Sequence, residues 1–279
     1  MLNTFYLDEF LKRALEEDIG HGDITTLSTV AVDRYTEGKF IAKEDGVICG
    51  LPVLVRLFEI LDPAIKIDCK VDEGDVLKKG DVIADIKGHA HSILTGERVA
   101  LNLLQRMSGI ATRTHEAVEE IKGTSAVIAD TRKTTPGLRM LEKYAVRMGG
   151  GSNHRFNLAD GILIKDNHIV AAGGITEAVR RARRMASHML KIEVEVENFE
   201  QINEALAAGA DIIMLDNMTL EDMTKAVEII GDRALVEASG NMGDKDLATV
   251  AATGVDIISI GALTHTVRAM DISLRFVVR

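Results

Sequence analysis

Arg98, Arg132, Lys133, His154, Arg155 and Lys165 are the residues of this sequence whose types and places first suggest chemistry. Arg98 stands early in a long helical pattern. Arg132 and Lys133 follow an apolar run that ends at Asp130, His154 and Arg155 follow Gly149-Gly150-Gly151, and Lys165 follows Gly-Ile-Leu-Ile. A single Arg or Lys is usually a solvated surface charge. Several at strand ends are another matter, because a barrel would aim them at one mouth. The chain as a whole is acidic, with 33 Lys+Arg against 43 Asp+Glu and a formal net charge of −10. Positive charge gathered at one place in such a chain suits an anion carrying several carboxylates or phosphates, which Arg holds bidentately and Lys as a point charge.

The acids form the second group. In Ile192-Glu193-Val194-Glu195-Val196, strand alternation puts both glutamates on one face and the branched residues on the other. In a barrel the branched face meets helices, so the glutamates point inward and need partners. Glu193 reads as a structural ion pair with Lys133 or Lys165. Glu195 and Asp216, at equivalent points on successive strands, read as functional. They suit Mg²⁺-linked phosphate chemistry, or the stabilisation of a positive centre developing on a sugar. Ser239-Gly240-Asn241 and Gly261 follow later strands, where glycine lets backbone N–H groups approach an anion closely. A plain tight turn explains these glycines equally well. The remaining histidines are scattered without metal-ligand spacing, and no Ser-His-Asp or Cys-His arrangement stands out.

The elements that must position these residues follow from cadence. Glu195 to Asp216 and Asp216 to Glu237 are each 21 residues, and Ser239 to Gly261 is 22. Each span holds one strand, one helix and two short loops, which makes a parallel sheet with right-handed crossovers. Candidate strands run over 126–129, 161–164, 191–196, 211–215, 234–237 and 256–260. Helices are expected at 175–185, 199–208, 220–230 and 246–252. The chemistry of a βα barrel sits at the carboxyl ends of its strands, where Lys165, Glu195, Asp216 and Ser239 fall. A doubly wound sheet has the same period, but no Gly-x-Gly-x-x-Gly opens the first unit. Before the long helical pattern of residues 96–121, the chain reads as a helix over 5–17, a loop over 18–26, and strands at 39–47 and 65–71 with short strands to residue 86.

At 279 residues the chain suffices for a barrel plus an accessory domain. Its acidity argues against nucleic acid or an anionic membrane as a partner. The longest stretch without Asp, Glu, Lys or Arg is 257–267, too short to span a bilayer. Cys49 and Cys69 cannot form a disulfide framework and are expected as small buried hydrophobes. The acidic N-terminus is unlike a signal peptide, so a cytoplasmic protein is expected.

With these residues in view, the chain resembles the quinolinate phosphoribosyltransferase family of type II phosphoribosyltransferases. The resemblance runs nearly end to end. It is carried most specifically by the block Thr131-Arg132-Lys133-Thr134-Thr135-Pro136-Gly137 and by Lys165-Asp166-Asn167-His168. Gly96-Glu97-Arg98, Leu215-Asp216-Asn217, Ser239-Gly240-Asn241 and Gly261-Ala262-Leu263 add to it. It implies an incomplete, about seven-stranded α/β barrel (111–265) beside an N-terminal α+β sandwich domain (1–110), with a C-terminal segment (266–279) returning to the latter. It implies a Mg²⁺-dependent reaction in which quinolinate and phosphoribosyl pyrophosphate give nicotinate mononucleotide, pyrophosphate and CO₂. It also implies a homodimer with Arg98 delivered into the neighbour's site. By the same resemblance, Thr131, Arg132, Lys133, His154, Arg155 and Lys165 hold the dicarboxylate and phosphates. Glu195 and Asp216 face ribose and metal, Ser239, Gly240, Asn241 and Gly261 cradle the 5-phosphate, and Lys133, Glu195 and Asp216 are catalytic. Asn241 replaces a glycine common in relatives, which a residue tolerant of positive φ permits.

Other readings compete. A nicotinate phosphoribosyltransferase would take a monocarboxylate, which does not need so many cations. A lyase would use Lys165 as a Schiff-base nucleophile. Residues 71–88 are reminiscent of a lipoyl-carrier hairpin, but Leu77-Lys78-Lys79-Gly80 lacks the flanks a carrier lysine needs.

Overall fold

The computed structural model of the chain describes residues 2–277. In chain order the elements begin α1 (Thr4–Ile19), α2 (Ile24–Thr29), β1 (Tyr35–Ala42), β2 (Gly46–Val47), α3 (Leu51–Leu61), β3 (Lys66–Cys69), β4 (Val76–Leu77), β5 (Val82–His89) and α4 (Ala90–Glu120). They continue with β6 (Val127–Ala129), α5 (Arg139–Met148), β7 (Ile162–Ile164), α6 (Asp166–Ala172), α7 (Ile175–Met185), β8 (Ile192–Val196), α8 (Phe199–Ala208), β9 (Ile212–Asp216) and α9 (Leu220–Ile230). The last are β10 (Leu235–Ser239), α10 (Leu247–Ala251), β11 (Ile257–Ser259), α11 (Ala262–His265) and β12 (Ile272–Phe276). Two compact units share them.

The first unit comprises the chain through His115, residues 136–150 and the stretch from Val267. Its four-stranded sheet has the order β12-β1-β5-β3, with antiparallel pairing throughout. The C-terminal strand pairs directly with β1, Gly38 opposite Phe276 and Ala42 opposite Ile272. Residues 136–150, expected with the barrel, belong here: Arg106 on α4 donates through Nε and Nη2 to the buried Glu142 of α5 at 3.0 and 2.6 Å. The segment around Asp23, expected as loop, starts a helix instead, because the Asp23 carboxylate caps it at Thr26 N. Helix α3, which alternation did not reveal, has its N-terminus closed by Glu73, whose two oxygens accept from Gly50 N and Leu51 N at 2.7 and 2.8 Å. Cys49 is buried as expected, but Cys69 is exposed, since it ends β3 at the edge of the sheet.

The second unit, Glu116–Thr135 with Gly151–Thr266, holds a six-stranded parallel sheet in the order β6-β11-β10-β9-β8-β7. The first two strands in sequence thus lie at opposite edges. That is the order of a barrel left open between its first and second strands. The seventh strand of the expectation shrinks to one residue: Ser152 bridges Ala129 in parallel, and its N donates to Ile128 O at 2.8 Å. Strand alternation then sorts the residues. Ile192, Val194 and Val196 of β8 are fully buried beneath the helices, each contributing about 2 kcal/mol by leaving water. Glu193 and Glu195 face the interior. Helices α7, α8 and α9 fall where the cadence placed them. No helix among the described residues is long and apolar enough to cross a membrane.

Candidate active site

A cavity of about 560 Å³ opens at the carboxyl ends of the second unit's strands. Every site residue read from the sequence lines it except Arg98: Thr131, Arg132, Lys133, His154, Arg155, Lys165, Glu195, Asp216, Ser239, Gly240, Asn241 and Gly261. Arg98 stands exposed on α4 in the first unit. Local chemistry explains the convergence. Lys165 is the residue before α6, and its backbone N donates to His168 Nδ1 at 3.0 Å, which fixes the strand-to-helix turn. Thr264 Oγ1 donates to Lys133 O at 2.8 Å and ties the β6 loop to the turn after β11. A methyl at Gly261 would come within 3.0 Å of Lys133 Cδ, so glycine there lets the lysine lie across the loop.

The mouth carries opposed charges. Lys165 Nζ is ion-paired with Glu195 Oε2. Asp216 Oδ2 accepts from Asn217 Nδ2 at 2.8 Å, and Asn217 takes the left-handed conformation, φ 54°. Glu195 is level with Met214 of β9 rather than with Asp216, which stands two residues further toward the opening, level with Ser239. The two acids expected at equivalent points are therefore staggered. Both line the cavity, and such a pair of hard carboxylate donors fits a divalent cation that also takes water and phosphate oxygens. Asn241 adopts φ 52°, the left-handed conformation expected to be open to it.

Beneath the mouth lies a polar layer that sequence reasoning only partly found. Glu193 does not pair with Lys133 or Lys165. Its Oε2 lies 3.1 Å from His154 Nε2, and Glu237 Oε1 lies 3.7 Å from the same nitrogen. Both glutamates are almost fully buried. Burial, with the neighbouring charge of Glu193, pushes the Glu237 carboxyl up to about 7. The loop above is anchored by the fully buried Asp130, which accepts from His154 N at 2.9 Å and from Asn153 Nδ2 at 2.6 Å. Arg155 Nη1 donates to Gly161 O at 2.8 Å and spans the open edge of the barrel. Its Nε is buried with no hydrogen-bond partner, and burial together with the nearby Arg132 cation lowers its affinity for its own proton. Such a guanidinium is short of an anion. A second cavity, of about 360 Å³, opens on the other side of this layer among Val127, Ile162, Ile212 and Ile257.

Glu237, Asn217 and His265 also line the cavity, beyond the site residues that the sequence assigns. Alternation in Leu-Val-Glu-Ala-Ser puts Glu237 on the same face as Ser239, a signal that was available. Asn217 and His265 carry no comparable pattern.

The family model described as "Quinolinate phosphoribosyl transferase, C-terminal domain" matches residues 110–275, and the corresponding N-terminal domain matches residues 23–108. A probable nicotinate-nucleotide pyrophosphorylase (carboxylating) of Bacillus subtilis is 48% identical over 273 residues, covering 98% of this chain and 94% of the relative. A mitochondrial quinolinate phosphoribosyltransferase (decarboxylating) of Nicotiana tabacum is 42% identical, covering 98% and 82%. The solved structure of the nicotinate-nucleotide pyrophosphorylase from Francisella tularensis superposes with a TM-score of 0.95 at 40% identity, covering 99% of this chain and 98% of that one.

Proposed function

This chain belongs to the quinolinate phosphoribosyltransferase family, and from that premise we propose that it joins quinolinate to the ribosyl group of phosphoribosyl pyrophosphate, releasing pyrophosphate and CO₂ and leaving nicotinate mononucleotide. The observation that carries this reading is one cavity where Arg132, Lys133, Arg155 and Lys165 face Glu195 and Asp216 inside an acidic chain. Beside the same pyrophosphate, a pyridine diacid brings one more negative charge than a monocarboxylate would, and Arg132 and Arg155 in the cavity suit that second carboxylate.

The residues divide the work. Arg155, with its unpartnered Nε, and Arg132 hold the dicarboxylate with its ring nitrogen turned toward the ribose carbon. As pyrophosphate leaves, that carbon becomes oxocarbenium-like, and Glu195 and Asp216 stabilise the positive charge while Lys133 stabilises the departing phosphates. The ring nitrogen forms the new bond to carbon and becomes cationic. The C2–carboxylate bond then breaks, its electron pair passes to the ring, and C2 takes a proton from water. Backbone N–H groups around Ser239–Asn241 and Gly261 hold the 5-phosphate. Glu195 and Asp216 would hold Mg²⁺, which when bound supplies positive charge to the pyrophosphate leaving group. The active form is a homodimer in which Arg98 serves the neighbouring site, consistent with its exposed position on α4.

Quinolinate labelled with ¹⁴C at its 2-carboxyl, incubated with phosphoribosyl pyrophosphate and Mg²⁺, tests the reading. Labelled CO₂ should appear in step with nicotinate mononucleotide. Product formed from nicotinate at an equal rate would overturn it.

A further inference from the structure

Both ring nitrogens of His154 are engaged within the protein. Its Nδ1 accepts from the backbone N of Arg155 at 2.8 Å. A backbone N–H only donates, so Nδ1 carries the lone pair and the ring proton sits on Nε2. Nε2 in turn faces Glu193 Oε2 at 3.1 Å and Glu237 Oε1 at 3.7 Å. The ring is therefore neutral and has no nitrogen left for an incoming carboxylate. The three groups also lie close enough together to hold a metal ion. The tautomer argues against that use, because a metal on Nε2 would require the proton on Nδ1, where Arg155 N already donates.

We propose that Glu193, backed by Glu237, is a positioning residue for substrate binding: it holds His154 as a neutral Nε2–H ring, and His154 in turn fixes the backbone of Arg155, which carries the charge that meets the dicarboxylate. Three geometric facts support this. The acids are buried on β8 and β10, so their carboxylates move little. His154 N is pinned separately to Asp130. Arg155 is held at both ends, by its backbone N to His154 and by Nη1 to Gly161 O. A guanidinium preset in this way loses little freedom on binding an anion.

The inference rests on the quinolinate reading of the site, and the experiment separates the two. Wild-type protein labelled with ¹⁵N-histidine is examined by NMR at neutral pH, first alone and then titrated with quinolinate. The His154 nitrogens should report the neutral Nε2–H tautomer, unchanged at saturation. An imidazolium or an Nδ1–H ring in the free protein, or conversion to imidazolium on binding, overturns the inference. Absence of any quinolinate binding overturns the functional reading instead and leaves the tautomer result to stand by itself. Kinetics supply the second arm. Glu193→Ala should raise the KM for quinolinate about tenfold with the KM for phosphoribosyl pyrophosphate within about twofold, the size expected when a supporting partner of a binding residue is lost. Glu193→Gln, which keeps an acceptor oxygen, should restore most of the loss. Both KM values rising together, no change in either, or failure of the Gln variant to rescue overturns the assignment. Should the Ala variant not fold, the wild-type tautomer decides.

Discussion

Lys133 and Glu195 face one another's chemistry across the mouth, and their side chains make separable predictions. Lys133 reaches over Gly261 into the cavity and is exposed enough to meet phosphates. Lys133→Ala should lower kcat/KM by about three orders of magnitude, the scale for removing a preorganised charge that acts in the transition state. Glu195→Ala should lower kcat by about two orders with a smaller effect on KM, because the positive charge it stabilises appears only as pyrophosphate departs. Steady-state kinetics with both substrates varied check the split; wild-type kcat/KM in both variants would refute the roles. Glu237 makes a prediction about stability. Its carboxyl, raised from 4.5 to about 7, binds its proton more tightly in the folded state than in the unfolded one. Its contribution is complete below pH about 4.5 and declines as pH climbs through 7. Glu237→Gln has no proton to lose, so the melting temperature of the variant minus that of wild type should become more positive from pH 5 to pH 8. A difference that stays flat across that range contradicts the burial argument.

The loops that follow the strands show how an element positions these residues. Ser239 ends β10, and the next residue, Gly240, has φ 95°. A Cβ there would stand 2.3 Å from Asn217 Oδ1 and 2.8 Å from Asn217 N. Asn217 is itself left-handed and donates to Asp216. Two strand ends are thus locked by backbone conformations that few residues adopt. Gly240→Ala should push Asn217 aside, free the Asp216 carboxylate and reduce kcat/KM for phosphoribosyl pyrophosphate about tenfold or more while the protein still folds. Unaltered kinetics in a folded variant would show that the Asn217 contact is idle. At this scale the sequence was legible where periodicity is strong. Helices α7, α8 and α9 match their apolar stripes. Helix α3 was not seen, because Leu51–Leu61 is apolar on nearly every side and its N-terminal cap comes from Glu73, a residue distant in the chain. The brief helix after Asp23 hid for a related reason: six residues are too few to display a period.

Taken whole, the molecule places the cations and acids of the cavity in one unit and Arg98 in the other. The proposed homodimer makes a sharp prediction from that division. If Arg98 completes the neighbour's site, Arg98→Ala and Lys133→Ala proteins should each be inactive alone. Mixed, unfolded and refolded together, they should recover about a quarter of wild-type activity, because half of the dimers are hybrids and each hybrid has one intact site. No recovery on mixing would place Arg98 in its own chain's site, and an Arg98→Ala protein active by itself would place Arg98 outside catalysis.

The chain order of residues was enough to settle the repeated strand-and-helix architecture, the family, and nearly every group at the cavity mouth. These follow from period, spacing and motif, which are local properties of a one-dimensional pattern. Partner choice was not so determined. From the sequence Glu193 reads as the partner of a lysine, whereas in the fold it holds His154, 39 positions away, with Glu237 alongside. Likewise the staggering of Glu195 against Asp216, and the reduction of a seventh strand to Ser152, depend on strand register and on where the barrel fails to close. A buried charge takes whichever partner folding brings within about 3 Å, and that distance is set by the packing of the whole sheet, which no short stretch of sequence encodes.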